Sequence, residues 1–563
     1  MAVTKFLPVD WSLTDEESKA QGRITPSQER AILLALSQIG YSDGCLIADE
    51  PGFGKTTCGA EIIKRARAWR RVLLICLPDT HKQWVERINA QSEGIPDALP
   101  PRVMNGTKAG KANYDAFMKH EEGIFIASSH FLVEKDWEQR PEWHHDVVGD
   151  KVVRFPVFKR DRKTGELELV ARAEGVIGPA EEPVRQMKST RKDVFARFAR
   201  KPLDAVLFDE VQVIASRKAK GRQTIYSIKA HFRVAMSGSF FLNKLENQWS
   251  VATWVWPGDD PETGEPWIIP AFQRWKDRYL LAEAVRGRGG KVLTTKYGGA
   301  ITQVTGERIP GEFVSTLPAY IRREAEPVPE PLVIDVDPTP QQLAQIQDFE
   351  RDLMIWAMSW TGEEAPLVAD IPLVLLTRLR QAAIAELSIG EGEVVSFADD
   401  AASAKLAPLR WLLEDRWGGQ PAAIYTDSKI GAHFIERRMR RAGVDARAWT
   451  GDLTKPQRDE MKHAYMAGEF PYIIATVQSF GTGLDGFQTR ANKVAWISRP
   501  QGNSALVDQA IRRFWRPGMT QQGGGFEQAV LRMRDSTDFR TEEMLLAQAW
   551  ANREAMNGGR LAA

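Results

Sequence analysis

Two separate stretches of this chain alternate short, wholly apolar runs with longer helical patterns. Few folds accept that alternation other than parallel sheets with helices on both faces. In the first stretch Cys45-Leu46-Ile47-Ala48 precedes a helical pattern from about Lys55 to Trp69, and the run Val72 to Leu77 follows. Ile124 to Ala127, Ala205 to Phe208 and Phe232 to Met236 continue it. The second stretch repeats the rhythm with Ala422 to Tyr425, Tyr472 to Thr476 and Val494 to Ile497. The expected fold class is therefore α/β, with two parallel-sheet lobes, and 563 residues are ample for both cores.

Between the lobes, residues 324–400 hold 16 acids and three bases, a net of −13. Pro327, Pro329, Pro331, Pro338 and Pro340 read as an extended connector, and the pattern turns helical from Gln341 onward. A further interruption at about 136–200 reads as an insertion in lobe one. It contains an expected hairpin of Lys151 to Lys159 with Glu166 to Ala171, turning through residues 162–165. The expected division is 1–260 for lobe one, 261–400 for the connector and helical acidic region, and 401–563 for lobe two. Cys45, Cys58 and Cys76 never fall in a C-x-x-C spacing, which argues against a structural zinc site and for buried thiols in a reducing compartment. With no signal pattern and no run of apolar residues long enough to span a bilayer, no membrane role is expected, and the expected location is cytoplasmic.

The segment Ala48-Asp49-Glu50-Pro51-Gly52-Phe53-Gly54-Lys55-Thr56-Thr57 lies between an expected strand and an expected helix. Gly52 and Gly54 let the backbone turn its N–H groups onto phosphate oxygens, Lys55 supplies a point charge, and the hydroxyl of Thr56 suits Mg²⁺. The start of the helix adds its positive end. Asp49 stands where the strict pattern has Gly. Phosphoryl transfer also needs acids for the metal and the attacking water, and Asp209-Glu210 directly follows the run ending at Phe208. His144-His145 beside Trp143 lack a third ligand at suitable spacing and read as a solvated loop.

At this point the chain resembles the superfamily-two helicases, specifically the Swi/Snf-type DNA translocases. Asp49 to Thr56 is similar to that family's D-E-x-G-x-G-K-T, which accounts for Asp49, and Leu77 to Trp84 to its C-P-x-x-x-x-x-Q-W. Asp209-Glu210-Val211-Gln212 stands at D-E-x-H, Arg233 to Ser239 at R-x-x-L-T-G-T, and Asn243 to Ser250 at N-x-x-x-E-x-W-S. Ile321-Arg322-Arg323-Glu324 and Ser403 to Leu406 resemble later segments. Thr476 to Asp485 is similar to the Gly-rich fifth motif, and Gln509 to Gly518 to Q-A-x-x-R-x-x-R-x-G. Gln212 replaces His, Ser237 and Ser239 replace threonines, and Asp485 and Arg512 replace the usual Asn and Gly.

The resemblance implies two RecA-like lobes with an ATP cleft between them, ATP and Mg²⁺ as cofactors, and double-stranded DNA as partner. It implies that Lys55 contacts the β/γ phosphates, that Thr56 and Asp209 hold Mg²⁺, and that Glu210 activates water. Arg513 and Arg516 carry over as arginine fingers. Gly52, Gly54 and Thr57 join the nucleotide loop, and Gln28 resembles the adenine-reading Gln, although Thr25-Pro26 also suits an ordinary helix start. Gln212, Ser237, Gly238, Ser239, Gly483, Asp485 and Gln509 are expected to couple nucleotide state to movement. The leading expectation is an ATP-dependent translocase on duplex DNA, in a bacterial or virus-infected cell. A strand-separating DNA or RNA helicase and a nucleotide-gated DNA clamp without turnover remain as alternatives. A net charge of +1 at first argues against a nucleic-acid partner, but residues 184–233 carry 13 bases and four acids, and 401–563 sum to +6.

Overall fold

The computed structural model describes residues 6–132 except 51, the backbone of six strands within 135–189, and 201–557. From the last range residues 218–221, 239, 241–243, 285–291, 293–301, 324–327, 360–369, 390–394, 481–485, 502 and 516–524 are excepted. The first lobe is built on strands β1 (Gly44–Ile47), β2 (Arg71–Ile75), β3 (Pro101–Val103) and β4 (Gly123–Ala127). After them come six insertion strands: β5 (Lys135–Arg140), β6 (Trp143–Val148), β7 (Lys151–Pro156), β8 (Phe158–Arg160), β9 (Leu167–Leu169) and β10 (Val184–Ser189). Then follow β11 (Leu203–Asp209), β12 (Ala230–Met236), the antiparallel pair β13 (Leu280–Ala284) and β14 (Thr302–Glu307), and β15 (Tyr320–Ile321).

Seven of these form one sheet in the order β15-β1-β12-β11-β2-β4-β3, every neighbouring pair parallel. All four residues of β1 and all five of β4 are buried, as continuous apolar runs in a sheet covered on both faces require. The helix after β1 runs Lys55–Arg65, shorter than expected, because the chain turns at Ala66 so that Trp69 can bury its ring against Phe232, 5.4 Å away. The strands β5 to β10 lie between β4 and β11. The hairpin differs from the expectation: β8 pairs with β9 as foreseen, but Lys151 to Pro156 folds back on β6. Of the side chains of His144 and His145 nothing is described.

The second sheet consists of β16 (Leu332–Val336), β19 (Ala422–Thr426), β20 (Ala446–Trp449), β21 (Tyr472–Thr476), β22 (Lys493–Trp496) and β23 (Glu527–Met533). Its order is β16-β23-β22-β19-β21-β20, again parallel throughout. β17 (Ser388–Ile389) and β18 (Val395–Ser396) make a small antiparallel pair before it. Successive residues of a strand face opposite sides of a sheet. Ala422 and Ile424 accordingly enter one core, while Ala423 and Tyr425 enter the other. The two sheets confirm the expected α/β class.

The expected connector is divided between the sheets. Tyr320 and Ile321 extend sheet one beside Leu46 and Ile47, and Leu332 to Val336 add to sheet two beside β23. Two-residue β15 carries no periodic signal, so sequence alone assigned it to the connector. The expected helical segment forms as Pro340–Ser359 and Asp370–Ala382. The last helix, Thr537–Asn557, spans both halves: Leu545 lies in a lobe-two core and Ala555 in the core of lobe one. No helix of the described residues is long and apolar enough to cross a membrane, and the three cysteines are buried and unpaired.

Candidate nucleotide-binding site

In a parallel sheet, groups that emerge at the carboxyl ends of adjacent strands meet in one crevice. Ile47, Met236 and Asp209 lie in register at the ends of β1, β12 and β11, so the loop after Ile47, Ser237 and the Asp209-Glu210 pair converge there. The loop between β1 and the helix is held by positive φ at Gly52 (101°) and Gly54 (75°), a conformation that costs side-chain-bearing residues energy. Gly54 is also the N-cap of the Lys55–Arg65 helix and supplies no side chain to its end. A Cβ on Gly54 would collide with the amide of Gln28.

The Nζ of Lys55 donates to the carbonyls of Asp49 (2.7 Å) and Glu50 (3.3 Å), folding the lysine back along its own loop. Asp49 is fully buried. The Arg323 guanidinium bonds to its carboxylate, and the Arg323 backbone N–H donates to Oδ1 at 2.9 Å. The residue that departs from the strict loop pattern thus anchors the loop to the chain leaving β15. Gln28 reaches the same loop by donating Nε2 to Phe53 O at 3.0 Å, while its Oε1 accepts from Thr25 N in the capping box of the helix Pro26–Ser37. The helix-start reading of Thr25-Pro26 is therefore realised in a side chain that also touches the loop. Thr57 is buried in the first turn, with its N–H bonded to Gly54 O.

Asp209 accepts a hydrogen bond from the indole N–H of Trp84 at 3.0 Å. Burial, then the neighbouring Glu210 carboxylate, push its pKa up to about 6, against the pull of Trp84 and Lys55. Glu210 itself sits in the left-handed region at φ 62°, unusual for a non-glycine residue. Its Oε2 accepts from Gln212 Nε2 at 2.5 Å, and Gln212 Oε1 accepts from Ser237 Oγ at 2.6 Å. Gln212, which departs from the expected His, therefore links the acid pair to the end of β12. Gly238 follows directly. Ser239, Gly483, Asp485 and Arg516 lie outside the described residues.

Lobe two contributes the helix Ser504–Ile511, which carries Gln509 and leads into Arg512 and Arg513. Tyr425 Oη donates to Ala510 O at 3.2 Å, and Phe514 and Trp515 are buried beyond it, so this segment is fixed to its lobe. Arg512 Nη2 crosses to Glu50 Oε2 at 2.6 Å. A groove of about 420 Å³ also spans the lobes. Asp79 lines it from lobe one, and Asp427, Lys429, Trp449, Arg458, Thr476 and Gln478 line it from lobe two.

The basic stretch Val213 to Arg233 is not one uniform face. Arg217 stacks 3.8 Å over the Phe272 ring and Arg222 4.1 Å over Tyr226. Arg233 lies within β12, where burial lowers its pKa to about 10. Lys218 and Lys220 lie outside the described residues. Among the described residues no cluster of three or more His, Cys, Asp or Glu could hold a metal. Sequence reasoning quoted Trp84, Glu50, Arg322 and Arg323 without a role for any of them. A carboxylate buried at a strand end needs a donor, which was the available hint for Trp84.

Residues 9–262 match the family of the SNF2-related domain. A Bacillus subtilis (strain 168) protein, YwqA, whose name assigns it to the ATP-dependent helicases/translocases, is 21% identical over 367 residues, or 62% of this chain. The chain spans 36% of that curated relative's length. Among solved structures, the Sulfolobus solfataricus SWI2/SNF2 ATPase core in complex with dsDNA is 16% identical. It aligns over 95% of this chain and 94% of its own, with a TM-score of 0.34. The core domain of the same ATPase gives 16%, 93%, 88% and 0.32. The phosphate loop, Trp84, the Asp209-Glu210 pair and Ser237 all fall inside the residues that match the SNF2-related domain.

Proposed function

We propose that this chain is an ATP-driven motor that moves on double-stranded DNA, hydrolysing ATP between its two lobes. The observation that carries the reading is the convergence, at three adjacent strand ends, of a glycine-shaped loop with its lysine, a buried carboxylate and a second acid. An arginine-bearing segment of the other lobe stands against the same loop. Phosphoryl transfer asks for positioning and charge neutralisation, and these are the groups it needs.

Lys55 is poised to exchange two carbonyl partners for the β and γ phosphates. Two adjacent acids, one buried with its ionised form disfavoured, call for a cation between them and the phosphates. Oxygen donors suit Mg²⁺, which takes one or two protein ligands alongside phosphates and water, so the lack of a larger cluster among the described residues fits it. Thr56 and Asp209 would hold the ion, which would neutralise developing charge on the phosphates. Glu210, oriented by Gln212, would accept the proton of the attacking water. Arg513 and Arg516 would reach the γ phosphate from lobe two, so that hydrolysis requires lobe closure and its products allow opening. Gln28 would contact adenine once its bond to Phe53 O is released. Gln212, Ser237, Gly238, Ser239, Gly483, Asp485 and Gln509 would couple that cycle to movement.

The groove across the lobes is lined by Asp79 and Asp427 as well as by Arg458 and by Lys429, which is paired with Asp452, so Arg458 is its candidate contact for a phosphate backbone. The test compares ATP hydrolysis by wild type and Lys55→Ala with duplex DNA, single-stranded DNA and RNA. Stimulation by duplex that weakens as salt rises, together with loss of activity in Lys55→Ala, is expected; equal activity in both proteins removes the motor reading. Triplex displacement without unwinding of a forked duplex separates translocation from strand separation.

A further inference from the structure

Arg512 lies just past the last turn of the helix Ser504–Ile511, one residue before Arg513, and its side chain is only 6% exposed. Its guanidinium meets Asp508 within its own lobe at 3.0 Å and lies 5.3 Å over the Trp515 ring. The third contact leaves the lobe, reaching Glu50 of the phosphate loop at 2.6 Å. Glu50 is 14% exposed, and its other oxygen accepts from Arg322 Nη2 at 3.2 Å. Arg322, also 6% exposed, donates in addition to Ala48 O at 3.3 Å. One carboxylate of the loop is therefore gripped by two buried arginines, one following β15 and one from the opposite lobe.

Both ends of this contact are stiff. On the loop side, Glu50 N bonds to Arg323 O, and Asp49 is buried beneath Arg323. On the other side, Ala510, Phe514 and Trp515 are packed into the second lobe. An ion pair between two stiff bodies fixes the bodies as well as the side chains. Because the pair is nearly removed from water, breaking it leaves a buried charge uncompensated, which is far costlier than losing an exposed pair.

We propose that Arg512 is a positioning residue for hydrolysis. Through Glu50 it holds the segment bearing Arg513 against the phosphate loop before nucleotide or DNA binds. This rests on the ATPase reading of the site. Arg512 itself need not touch nucleotide; it sets the distance Arg513 has to travel. Part of lobe closure is then built into the free chain, and DNA supplies the remainder.

The experiment uses the full chain as wild type, Arg512→Ala and Arg512→Lys. Affinity for a fluorescent ADP analogue and turnover without and with saturating duplex DNA are measured, together with small-angle scattering of the nucleotide-free proteins. Arg512→Ala is expected to lower DNA-free turnover about tenfold, the size of a typical coupling between sites, while ADP affinity stays within about twofold. Saturating duplex should restore most of the rate, because it closes the lobes from outside. Arg512→Lys should retain most of the DNA-free rate, because a point charge still reaches Glu50. The radius of gyration should rise for Arg512→Ala alone. DNA-free turnover in Arg512→Ala equal to or above wild type overturns the proposal. So does a loss that neither DNA nor lysine relieves, which marks a local folding defect. A wild type without ATPase activity instead removes the reading of the site, and an unchanged radius of gyration in Arg512→Ala then removes the contact's role as well.

Discussion

Replacing Trp84 by Phe keeps an aromatic ring on the helix His81–Ser92, trims a fully buried side chain, and deletes the N–H donated to Asp209 at 3.0 Å. A hydrogen bond to a charged group contributes about 1.5–3 kcal/mol. At 1.36 kcal/mol per pH unit, its loss raises the pKa of Asp209 by roughly one to two units. From a starting value of about 6, the carboxyl would then titrate at roughly 7 to 8. Asp209 has to be ionised to hold Mg²⁺, so kcat/KM for ATP falls on the acid side, and that limb reports the free protein. Expected is an acid limb displaced upward by one to two units, a loss of about two- to tenfold at pH 7, and recovery toward the wild-type plateau near pH 9. The companion stability effect has a definite sign. Folding raises the pKa of this acid above its ordinary 3.8, so the native state gains stability as pH falls from about 6 toward 3.8 and lacks that gain above 6. An acid limb that does not move in Trp84→Phe, with the fold intact by circular dichroism, would refute the claim that the indole holds Asp209 in its ionised form.

Gly54→Ala places a side chain at φ 75° and against the Gln28 amide, which should weaken binding of a fluorescent ATP analogue about tenfold for a penalty of about 1–2 kcal/mol; unchanged affinity would contradict the loop geometry. Lys405 is 1% exposed and bonded to Asp538 at 2.6 Å, so Lys405→Ala strands a carboxylate and should cost about 3–5 kcal/mol in urea unfolding. A cost under about 1 kcal/mol would mean that the pair behaves as a solvated one.

Sequence exposed the strands whose burial needs no partner from far along the chain. β1, β2, β4, β19 and β21 are apolar throughout or nearly so, and each was visible as a run. β23 lies inside the second sheet yet reads Glu-Gln-Ala-Val-Leu-Arg-Met, because Arg416 and Asp335 neutralise its two charges. Arg416 and Asp335 are remote in sequence from β23, so local pattern hid it. β20, reading Ala-Arg-Ala-Trp, and the two-residue β15 were hidden by brevity. The site divides in the same way. Lys55, Asp209 and Glu210 were legible because phosphate chemistry demands those groups at strand ends. The anchoring of Asp49 by Arg323 was not, since the partner stands 274 residues away. Gln28 stayed ambiguous because one amide serves both the capping box and the loop.

The charge distribution gains a different meaning from the ion pairs. Counted by segment, residues 324–400 carry −13 and the remaining chain +14, which suggests an acidic connector set apart from basic lobes. In the fold, Asp335 pairs with Arg532, Asp337 with Arg534, and Asp399 with both Arg437 and Arg441. Four arginines of the second lobe thus already face carboxylates of the acidic segment, and a phosphate would gain from each only the excess over the pair it displaces. Arg217 and Arg222 are likewise engaged, with aromatic rings in place of acids. A cation spent on an internal partner releases no counterion on binding DNA, and the salt dependence of binding counts only those that do. The slope of duplex affinity against salt should therefore be set by groove residues such as Arg458 and by exposed lysines such as Lys229, and fall well short of the number of bases in either lobe.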